Sequence, residues 1–232
     1  MTPKTHRDML CVSIVARDNE EVREKMLRAS RYADVLELRL DLLERFDLSA
    51  LIRAAPRPVM VTYRSKKEGG QGRAPYATRL RYLKEAISLG ARYVDLEYSM
   101  PLEYRAEVMR DHQQTQVIVS KHILSGTPSS KALRGWVEKL ISTGADIIKL
   151  VTRAKAPEDN IRILEVIPMA TQVGIPIIAF CMGRDGRMSR VASLLVGGFL
   201  TFASLGPEEE SAEGQIPVQN MRKILELMDA PY

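Results

Sequence analysis

One lysine in this sequence stands where an apolar residue is expected. Lys149 lies in DIIKLVT, residues 146–152, a run whose isoleucines, leucine and valine predict a buried strand. Lysine is almost never fully buried unless its charge is compensated. Burial disfavours the ammonium form, and a neutral amine adds to carbonyl carbons to give an iminium. Lys149 is therefore a candidate nucleophile, although a lysine that reaches solvent, or pairs with a carboxylate such as Glu37, accounts for the position equally well.

A histidine closes another predicted strand. In QVIVSKH, residues 116–122, alternation puts Ser120 and His122 on one face and Lys121 on the other. Histidine moves protons near neutral pH and contributes roughly 10²–10⁴-fold as a general acid or base. We expect His122 and Lys149 to lie on adjacent parallel strands near the same rim. This pairing favours a catalytic role for Lys149 over a structural one.

Charged side chains recur at one parity on three earlier strands. In DVLELRLD, residues 34–41, the leucines share one face and the charged residues share the other. The runs PVMVTYR and RYVDLEY show the same alternation. The polar faces of the three strands carry Glu37, Arg39, Asp41, Thr62, Arg64, Asp95 and Glu97. The loop SKKEGGQG follows Arg64 and contains Glu68, and its glycines predict flexibility.

The last third of the chain carries groups that suit an anion. CMGRDGRMSRVASLL predicts a glycine-bearing loop that enters a helix, with Arg190 near the helix start. The long polar loop PEEESAEGQIPV carries Ser211 and Gln215, and its acidic run of residues 208–210 reads as a solvated loop. Together with Arg39 and Arg64, these side chains would line a rim that fits a polyhydroxylated carboxylic acid better than a phosphate.

Eight short β-branched runs alternate with longer amphipathic runs. Glycines 90, 144 and 174 end three predicted helices just before the next strand. This count predicts a (β/α)8 TIM barrel at the small end of its size range, with residues 1–232 as a single domain. A doubly wound open sheet fits the sequence less well, because its site would lie at one switch point, whereas polar residues recur here near the ends of many strands. The predicted strands are residues 10–16, 34–41, 58–64, 92–98, 116–122, 146–152, 176–182 and 198–205.

Composition excludes several classes of protein. The 232 residues are 45% hydrophobic, and 34 basic against 29 acidic residues give a net charge of +5. No apolar run reaches the length of a membrane span, and no signal peptide is evident, so we expect a soluble, cytoplasmic protein. Cys11 and Cys181 lie in apolar runs and predict buried free thiols, and three histidines without a CxxC pair predict no metal site. The absence of a nucleotide-binding motif and of an aromatic basic patch argues against nucleotide or nucleic-acid partners.

Six motifs in order resemble one known family. They are ELRLD, TYRSKKEGG, SKH, DIIKL, MGRDGRMSR and SAEGQIPV, and they span about residues 10–220. The chain resembles the type I 3-dehydroquinate dehydratases, the Schiff-base enzymes of the shikimate pathway. The resemblance implies a (β/α)8 barrel that needs no metal or cofactor, binds 3-dehydroquinate as its small-molecule substrate, and commonly forms a homodimer.

The resemblance also assigns roles to residues of this chain. Lys149 matches the Schiff-base lysine, His122 matches the general acid and base, and Glu68 matches the carboxylate that orients the histidine. Arg190 matches the arginine that pairs with the substrate carboxylate. Five further residues match family residues that hold the ring hydroxyls, order the site or lie in a closing loop. They are Glu37, Arg39, Arg64, Ser211 and Gln215.

Some residues depart from the family pattern. The family often has an acidic or amide residue and then an aromatic one after the histidine, where this chain has Ile123 and Leu124. Ile123 cannot make the hydrogen bond that a polar side chain would make at this position, but His122 itself is retained. The N-terminus is also too short for the hairpin that caps the barrel bottom in longer members.

Two other functions fit part of the pattern. A class I aldolase or transaldolase uses the same lysine chemistry, but its substrates usually carry phosphate. A barrel that only binds a sugar acid or a partner protein has no need for a buried amine beside a histidine.

Overall fold

The fold is a parallel barrel of eight strands. The computed structural model describes residues 9–229 of the chain, and all eight strands in that range belong to one parallel sheet with the order β7-β6-β5-β4-β3-β2-β1-β8. The strands are β1 (Leu10–Ile14), β2 (Val35–Arg39), β3 (Val59–Thr62), β4 (Tyr93–Glu97), β5 (Gln116–Ile123), β6 (Ile147–Arg153), β7 (Ile177–Met182) and β8 (Thr201–Ala203).

The sheet curls until its two ends nearly meet. β8 pairs with β1 over Leu10–Thr201 to Val12–Ala203, and the N–H of Phe199, just before β8, donates to the carbonyl of Ile177 on β7 at 2.8 Å. Strands β1 to β7 pair with one another in sequence order, and β8 pairs with β1. The barrel prediction is confirmed, and the doubly wound alternative is wrong, because its strand order would reverse at a switch point.

Helices follow the strands and cover the outside of the barrel. They are α1 (Asn19–Ala29), α2 (Leu48–Ala54), α3 (Tyr76–Ser88), α4 (Leu102–Arg110), α5 (Ser130–Ile141), α6 (Glu158–Leu164), α7 (Val166–Gln172), α8 (Arg187–Leu195) and α9 (Val218–Asp229). The run EDNIRILEVIPMATQVG, predicted as one helix, forms both α6 and α7. Pro168 explains the break, because it has no N–H to donate and its ring clashes with the carbonyl four residues earlier.

The predicted helix stops are confirmed. Gly90, Gly144 and Gly174 have φ angles of +79°, +75° and +78°, the left-handed conformation that ends a helix at little cost only for glycine. Strand ends are less accurate, since the eighth strand was predicted over residues 198–205 and covers only Thr201–Ala203.

Two apolar layers hold the barrel together. Side chains on the outer face of the strands, such as Leu36, Leu38 and Val119, pack under the helices. On the inner face, residues such as Met60, Ile118 and Ile178 fill the lower barrel. Polar side chains of the same inner parity therefore lie above this apolar floor, at the carboxyl-terminal rim that we call the mouth.

Several other predictions can be compared with the described residues. Cys11 and Cys181 are buried free thiols, as predicted. No helix in the range 9–229 is both long and apolar enough to cross a membrane. His6 lies outside the described residues, and the assignment of all 232 residues to a single domain stays a prediction.

Candidate active site

Lys149 lies inside the barrel, beside the strand that carries His122. β5 and β6 pair in parallel with Ser120 opposite Lys149 and His122 opposite Val151, as predicted. Lys149 is 4% exposed, its Nζ is 2.9 Å from Oδ2 of Asp95 on β4, and it lies 4.1 Å above the ring centroid of Phe202. The charge of the lysine is therefore compensated by Asp95. The suggestion that Glu37 could be its partner is wrong, because the Glu37 carboxylate accepts hydrogen bonds from Ser13 on β1 and Thr62 on β3.

Asp95 is the centre of a buried ionic network. Arg64 Nη2 is 2.7 Å from Oδ2 of Asp95, and the hydroxyl of Ser120 donates to Oδ1 at 2.6 Å. Burial opposes ionisation of Asp95, but the charges of Arg64 and Lys149 hold the pKa of the carboxyl well below its usual range. Asp95 is therefore ionised, and it lies between the Arg64 guanidinium and the Lys149 amine.

His122 is fixed by a carboxylate from the β3–α3 connection. Its ring Nδ1 lies 3.2 Å from Oε2 of Glu68, and its backbone N–H donates to the same oxygen at 3.1 Å. Burial, with the positive charges of Arg64 and Lys149, lowers the pKa of His122 to about 3 against the raising effect of Glu68. The imidazole is therefore neutral at neutral pH in the free protein, which is the form that can act as a base. Ile123 has no polar side chain, so Glu68 supplies the orienting bond.

Glu68 stays ionised although it is buried. Burial raises its pKa, but the hydrogen bond from His122 and the charges of Arg64 and Lys121 lower it to about 2. Lys121 Nζ lies 3.3 Å from Oε1 of Glu68. The two residues of this His–Glu pair therefore have pKa values far below their usual ones, and both keep a fixed protonation state across the neutral range.

The connection that carries Glu68 is a hydrogen-bonded turn, although its glycines predicted flexibility. Lys66–Glu68 form one turn of 3₁₀ helix, and the Gly70 and Gly72 amides donate to the carbonyls of Ser65 and Arg64 at 2.9 and 3.0 Å. A Cβ on Gly70 would lie 2.2 Å from the carbonyl oxygen of Arg64. Here glycine permits close packing, and this packing places Glu68 under His122.

Glu37 and Arg39 project into the cavity from β2. Glu37 accepts hydrogen bonds from the hydroxyls of Ser13 and, at 2.7 Å, Thr62. Arg39 forms two 2.8 Å bonds to Asp41, which follows β2. Because Asp41 also accepts the amides of Arg64 and Gln71, it joins the ends of β2 and β3 at the mouth.

Arg190, on α8 after β7, supplies a buried positive charge to the cavity. It is 1% exposed, its Cζ lies 4.5 Å above the ring of Phe180, and its Nη2 donates to the carbonyl of Glu213 at 3.3 Å. Its Nε is buried without a hydrogen-bond partner among the described residues. Burial lowers the pKa of Arg190 to about 10, so the guanidinium remains charged without a carboxylate bound to it. It therefore presents an electrostatic site for an anion.

Ser211 and Gln215 lie on the connection between β8 and α9. The amide of Ser211 donates to Oε1 of Gln215 at 2.8 Å, which folds the connection back on itself. The reading of the preceding acidic run as solvated is wrong for two of its three residues. Glu210 accepts the Gly214 amide at 3.0 Å, and Glu209 pairs with Lys25 of α1 at 3.2 Å, whereas Glu208 is exposed.

All nine predicted site residues line one cavity at the mouth. They are Glu37, Arg39, Arg64, Glu68, His122, Lys149, Arg190, Ser211 and Gln215. Sequence reasoning placed Asp95 on the inner face of β4 but assigned it no role, and it passed over Ser13. The signal for Asp95 was its parity, and its pairing with Lys149 depends on which strands are neighbours. In the described part of the chain, no three His, Cys, Asp or Glu side chains cluster as metal ligands would.

The fold and the cavity define a (β/α)8-barrel enzyme that handles an anionic substrate beside a buried lysine and a neutral histidine. The sequence profile of the type I 3-dehydroquinase family matches residues 10–231. The 3-dehydroquinate dehydratase of Methanopyrus kandleri is 37% identical over 226 residues, which cover 95% of this chain and 100% of that protein. The chain belongs to the type I 3-dehydroquinase family.

A second curated relative and a solved structure agree with this assignment. The 3-dehydroquinate dehydratase of Desulfotalea psychrophila is 34% identical over 222 residues, covering 94% of this chain and 97% of that protein. The crystal structure of 3-dehydroquinate dehydratase from Geobacillus kaustophilus superposes with a TM-score of 0.86 at 30% identity, covering 95% of this chain and 91% of that one. The predicted enzyme class, a hydro-lyase, is confirmed.

Proposed function

We propose that this protein dehydrates 3-dehydroquinate to 3-dehydroshikimate through an iminium on Lys149, by syn elimination of water. The observation that carries the residue assignment is the position of Lys149 and His122 on paired strands, both lining the cavity that the buried Arg190 also lines. The substrate is a cyclic ketone with a carboxylate and hydroxyl groups, and each of these groups has a counterpart among the cavity residues.

Lys149 acts as the nucleophile. Its Nζ, once deprotonated, adds to the ketone carbon, and loss of water leaves a protonated iminium. Asp95, 2.9 Å from Nζ in the free protein, is an anion throughout and stabilises that positive charge. The iminium withdraws electrons from the neighbouring carbon, so its C–H bond becomes acidic.

His122 removes that proton and later returns it. The neutral imidazole takes the proton from the carbon beside the iminium, and the electron pair forms an enamine. The resulting imidazolium then protonates the departing hydroxyl, which leaves as water as the enamine collapses to a conjugated iminium. Hydrolysis of the iminium releases the product and restores Lys149. Glu68 holds the ring in position and stabilises the imidazolium.

The remaining residues hold the substrate in place. Arg190 receives the carboxylate, since a bidentate ion pair is the geometry a guanidinium favours. Glu37, Arg39, Ser211 and Gln215 are within reach of ring hydroxyls around the same cavity. Arg64 pairs with Asp95, Glu97 and Glu68, so it orders the anions of the site more than it binds substrate.

Trapping the intermediate tests this assignment. Borohydride added during turnover of 3-dehydroquinate should reduce the iminium and leave a stable adduct, which peptide mass spectrometry should locate on Lys149. Formation of the conjugated product is followed in parallel by ultraviolet absorbance. The Lys149→Ala variant should form neither adduct nor product.

The His122→Asn variant is the matched control, because it keeps the lysine. It should still form some adduct, while kcat falls by roughly 10²–10⁴-fold as expected for loss of a general acid and base. An active Lys149→Ala variant, or an adduct on another residue, would contradict the assignment. An adduct without product in the native enzyme would support aldol chemistry or simple binding instead.

The finer assignments of assembly and location rest on the resemblance. We infer a homodimer, because the family commonly forms one, and a cytoplasmic location, because shikimate-pathway enzymes of this kind work on soluble metabolites.

A further inference from the structure

The connection between β8 and α9 closes one side of the cavity, and residues 206–215 of it are called the mouth segment here. Its later half is fixed to the end of β7. The amide of Gly183 donates to the carbonyl of Glu213 at 3.0 Å, and a Cβ on Gly214 would lie 2.2 Å from the carbonyl oxygen of Gly183. This side of the segment therefore has direct backbone contact with the barrel.

The earlier half of the mouth segment is fixed to a helix instead. Glu209 lies 3.2 Å from Lys25 and 3.5 Å from Arg28, both on α1. The side chains of Glu209 and Lys25 are 22% and 15% exposed, whereas Arg187, the partner of Glu210, is 53% exposed. Water screens an exposed ion pair more strongly than a partly buried one. Glu209 is thus the least screened ionic anchor of the segment.

Lys25 is itself held in position by its own helix and by the end of β1. Its Nζ donates to the carbonyl of Val15 at 2.7 Å and pairs with Glu21 at 2.7 Å. Because these contacts already restrict the Lys25 ammonium, little side-chain entropy is lost when it pairs with Glu209. The anchor point on α1 is therefore preorganised.

We propose that Glu209 is a positioning residue, whose ion pairs with Lys25 and Arg28 hold the mouth segment so that Ser211 and Gln215 face the bound substrate. The proposal rests on the function proposed above. Glu209 is two residues from Ser211, whose amide is bonded to the side chain of Gln215, so loss of the Glu209 anchor releases Ser211 and loosens its bond to Gln215, while the Gly183–Glu213 contact still holds the later half. The lysine and histidine stand on strands and stay in place. Loss of the anchor should therefore weaken substrate binding and leave the chemical step intact.

The primary test compares two neighbouring glutamates. Glu209→Gln keeps the size of the side chain and removes its charge, and Glu208→Gln removes the same charge from an exposed residue that makes no ion pair in the described range. KM for 3-dehydroquinate should rise about two- to fivefold in Glu209→Gln, the range expected for one or two partly exposed ion pairs, with kcat nearly unchanged. Glu208→Gln should match the native enzyme in both constants.

Salt and a second variant separate this role from general loosening of the fold. Sodium chloride should raise KM of the native enzyme more steeply than that of Glu209→Gln, because the anchor has already been removed from the variant. Lys25→Met should raise KM as well, and the Glu209→Gln/Lys25→Met double variant should be no worse than the larger single effect. Additive effects of the two substitutions would overturn the proposal.

Amide hydrogen exchange tests the anchor without any activity. Peptides that cover residues 206–215 should exchange faster in Glu209→Gln than in Glu208→Gln, while peptides from β6 exchange equally. Equal exchange in the mouth segment, or equal KM in the two variants, would overturn the proposal. If the native enzyme fails to dehydrate 3-dehydroquinate, the proposed function fails, and exchange still decides whether Glu209 anchors the segment.

Discussion

At the scale of single residues, the site holds two neighbouring titratable groups in different charge states. Glu68 is an anion with a pKa of about 2, and His122 beside it is neutral with a pKa of about 3 in the free protein. Burial alone would raise the pKa of the carboxyl, and the surrounding cations reverse this effect. Arg64 is the shared cause, because it favours the anion and disfavours a charged imidazole. Acid and base assignments commonly follow from such environments.

Lys121 contributes to this arrangement from the outer face of β5. Its Nζ lies 3.3 Å from Glu68 and 5.5 Å above the ring of Trp136, which restricts where the ammonium can go. Lys121→Met should lower kcat several-fold, about 3–10-fold for loss of one orienting charge, because Glu68 then holds the imidazole less rigidly. Steady-state kinetics with 3-dehydroquinate measures this effect.

Lys139 provides the control for Lys121. Its Nζ also lies over the Trp136 ring, 5.0 Å from the centroid, but in the described residues it forms no ion pair with Glu68. Lys139→Met should leave kcat unchanged. Equal losses in the two variants would show that the cation–ring contact, and not the bond to Glu68, is responsible.

Residue type and strand parity together were enough to predict most of this site. Lys149 stood out as an amine in an apolar strand, and the histidine expected on the adjacent strand favoured a catalytic role for both residues over a structural one. Ser211 and Gln215 were placed on the rim from the polar loop that carries them, and the role of Glu68 came from the resemblance, since loop residues have no periodicity to interpret. The role of Asp95 was not predictable, because parity put several carboxylates inside and only the spatial neighbours decide which one meets the lysine.

At the scale of elements, local signals predicted where helices end better than where strands end. Gly144 marks the end of α5, because the turn that follows the helix needs a positive φ at this position and glycine adopts it most easily. Strand ends depend on how far neighbouring strands pair, and this is a property of the whole sheet. β8 is therefore shorter than its apolar run suggests, since its partner β1 contributes only Leu10–Val12 to the pairing.

Two glycines near α5 should respond in opposite directions to the same substitution. Gly135 lies inside the helix, and a Cβ there meets nothing within 4 Å, so Gly135→Ala should stabilise the fold by about 0.5–1 kcal/mol. A Cβ on Gly144 also meets nothing, but its φ is +75°, so Gly144→Ala should destabilise by about 1–2 kcal/mol. Urea unfolding of both variants with unchanged m-values measures the difference. The same sign for both would contradict either the helical position of Gly135 or the left-handed conformation of Gly144.

At the scale of the whole molecule, the stability of the barrel is linked to the protonation of its interior. The pKa of His122 is about 3 in the folded protein against about 6.5 in an unfolded chain. Between these values the unfolded chain binds the extra proton, so stability is lost as the pH falls from 6.5 toward 3. Buried carboxylates with lowered pKa values add to the loss below about pH 4, their unfolded range.

The contribution of His122 can be isolated above the carboxylate range. Lowering the pH from 7 to 5 should reduce the free energy of unfolding by about 2 kcal/mol through this residue. In His122→Asn that part of the pH dependence should be missing. Urea unfolding at both pH values, for both proteins, measures it, and an equal drop in the variant would contradict a neutral His122 in the folded state.

Under the proposed function, substrate binding and folding place different demands on the position of Arg190. Its guanidinium is buried to 1% exposure on an aromatic ring, and burial disfavours its charge. An apolar side chain of similar volume would suit the folded chain better, because desolvation of a buried ion frequently exceeds what it recovers. Under the proposed function, the substrate carboxylate is the counterion of this charge, and the bound substrate completes the charge balance of the protein interior. The barrel then gives up stability at this position for the sake of binding, and each substrate molecule supplies the missing counterion while it is bound.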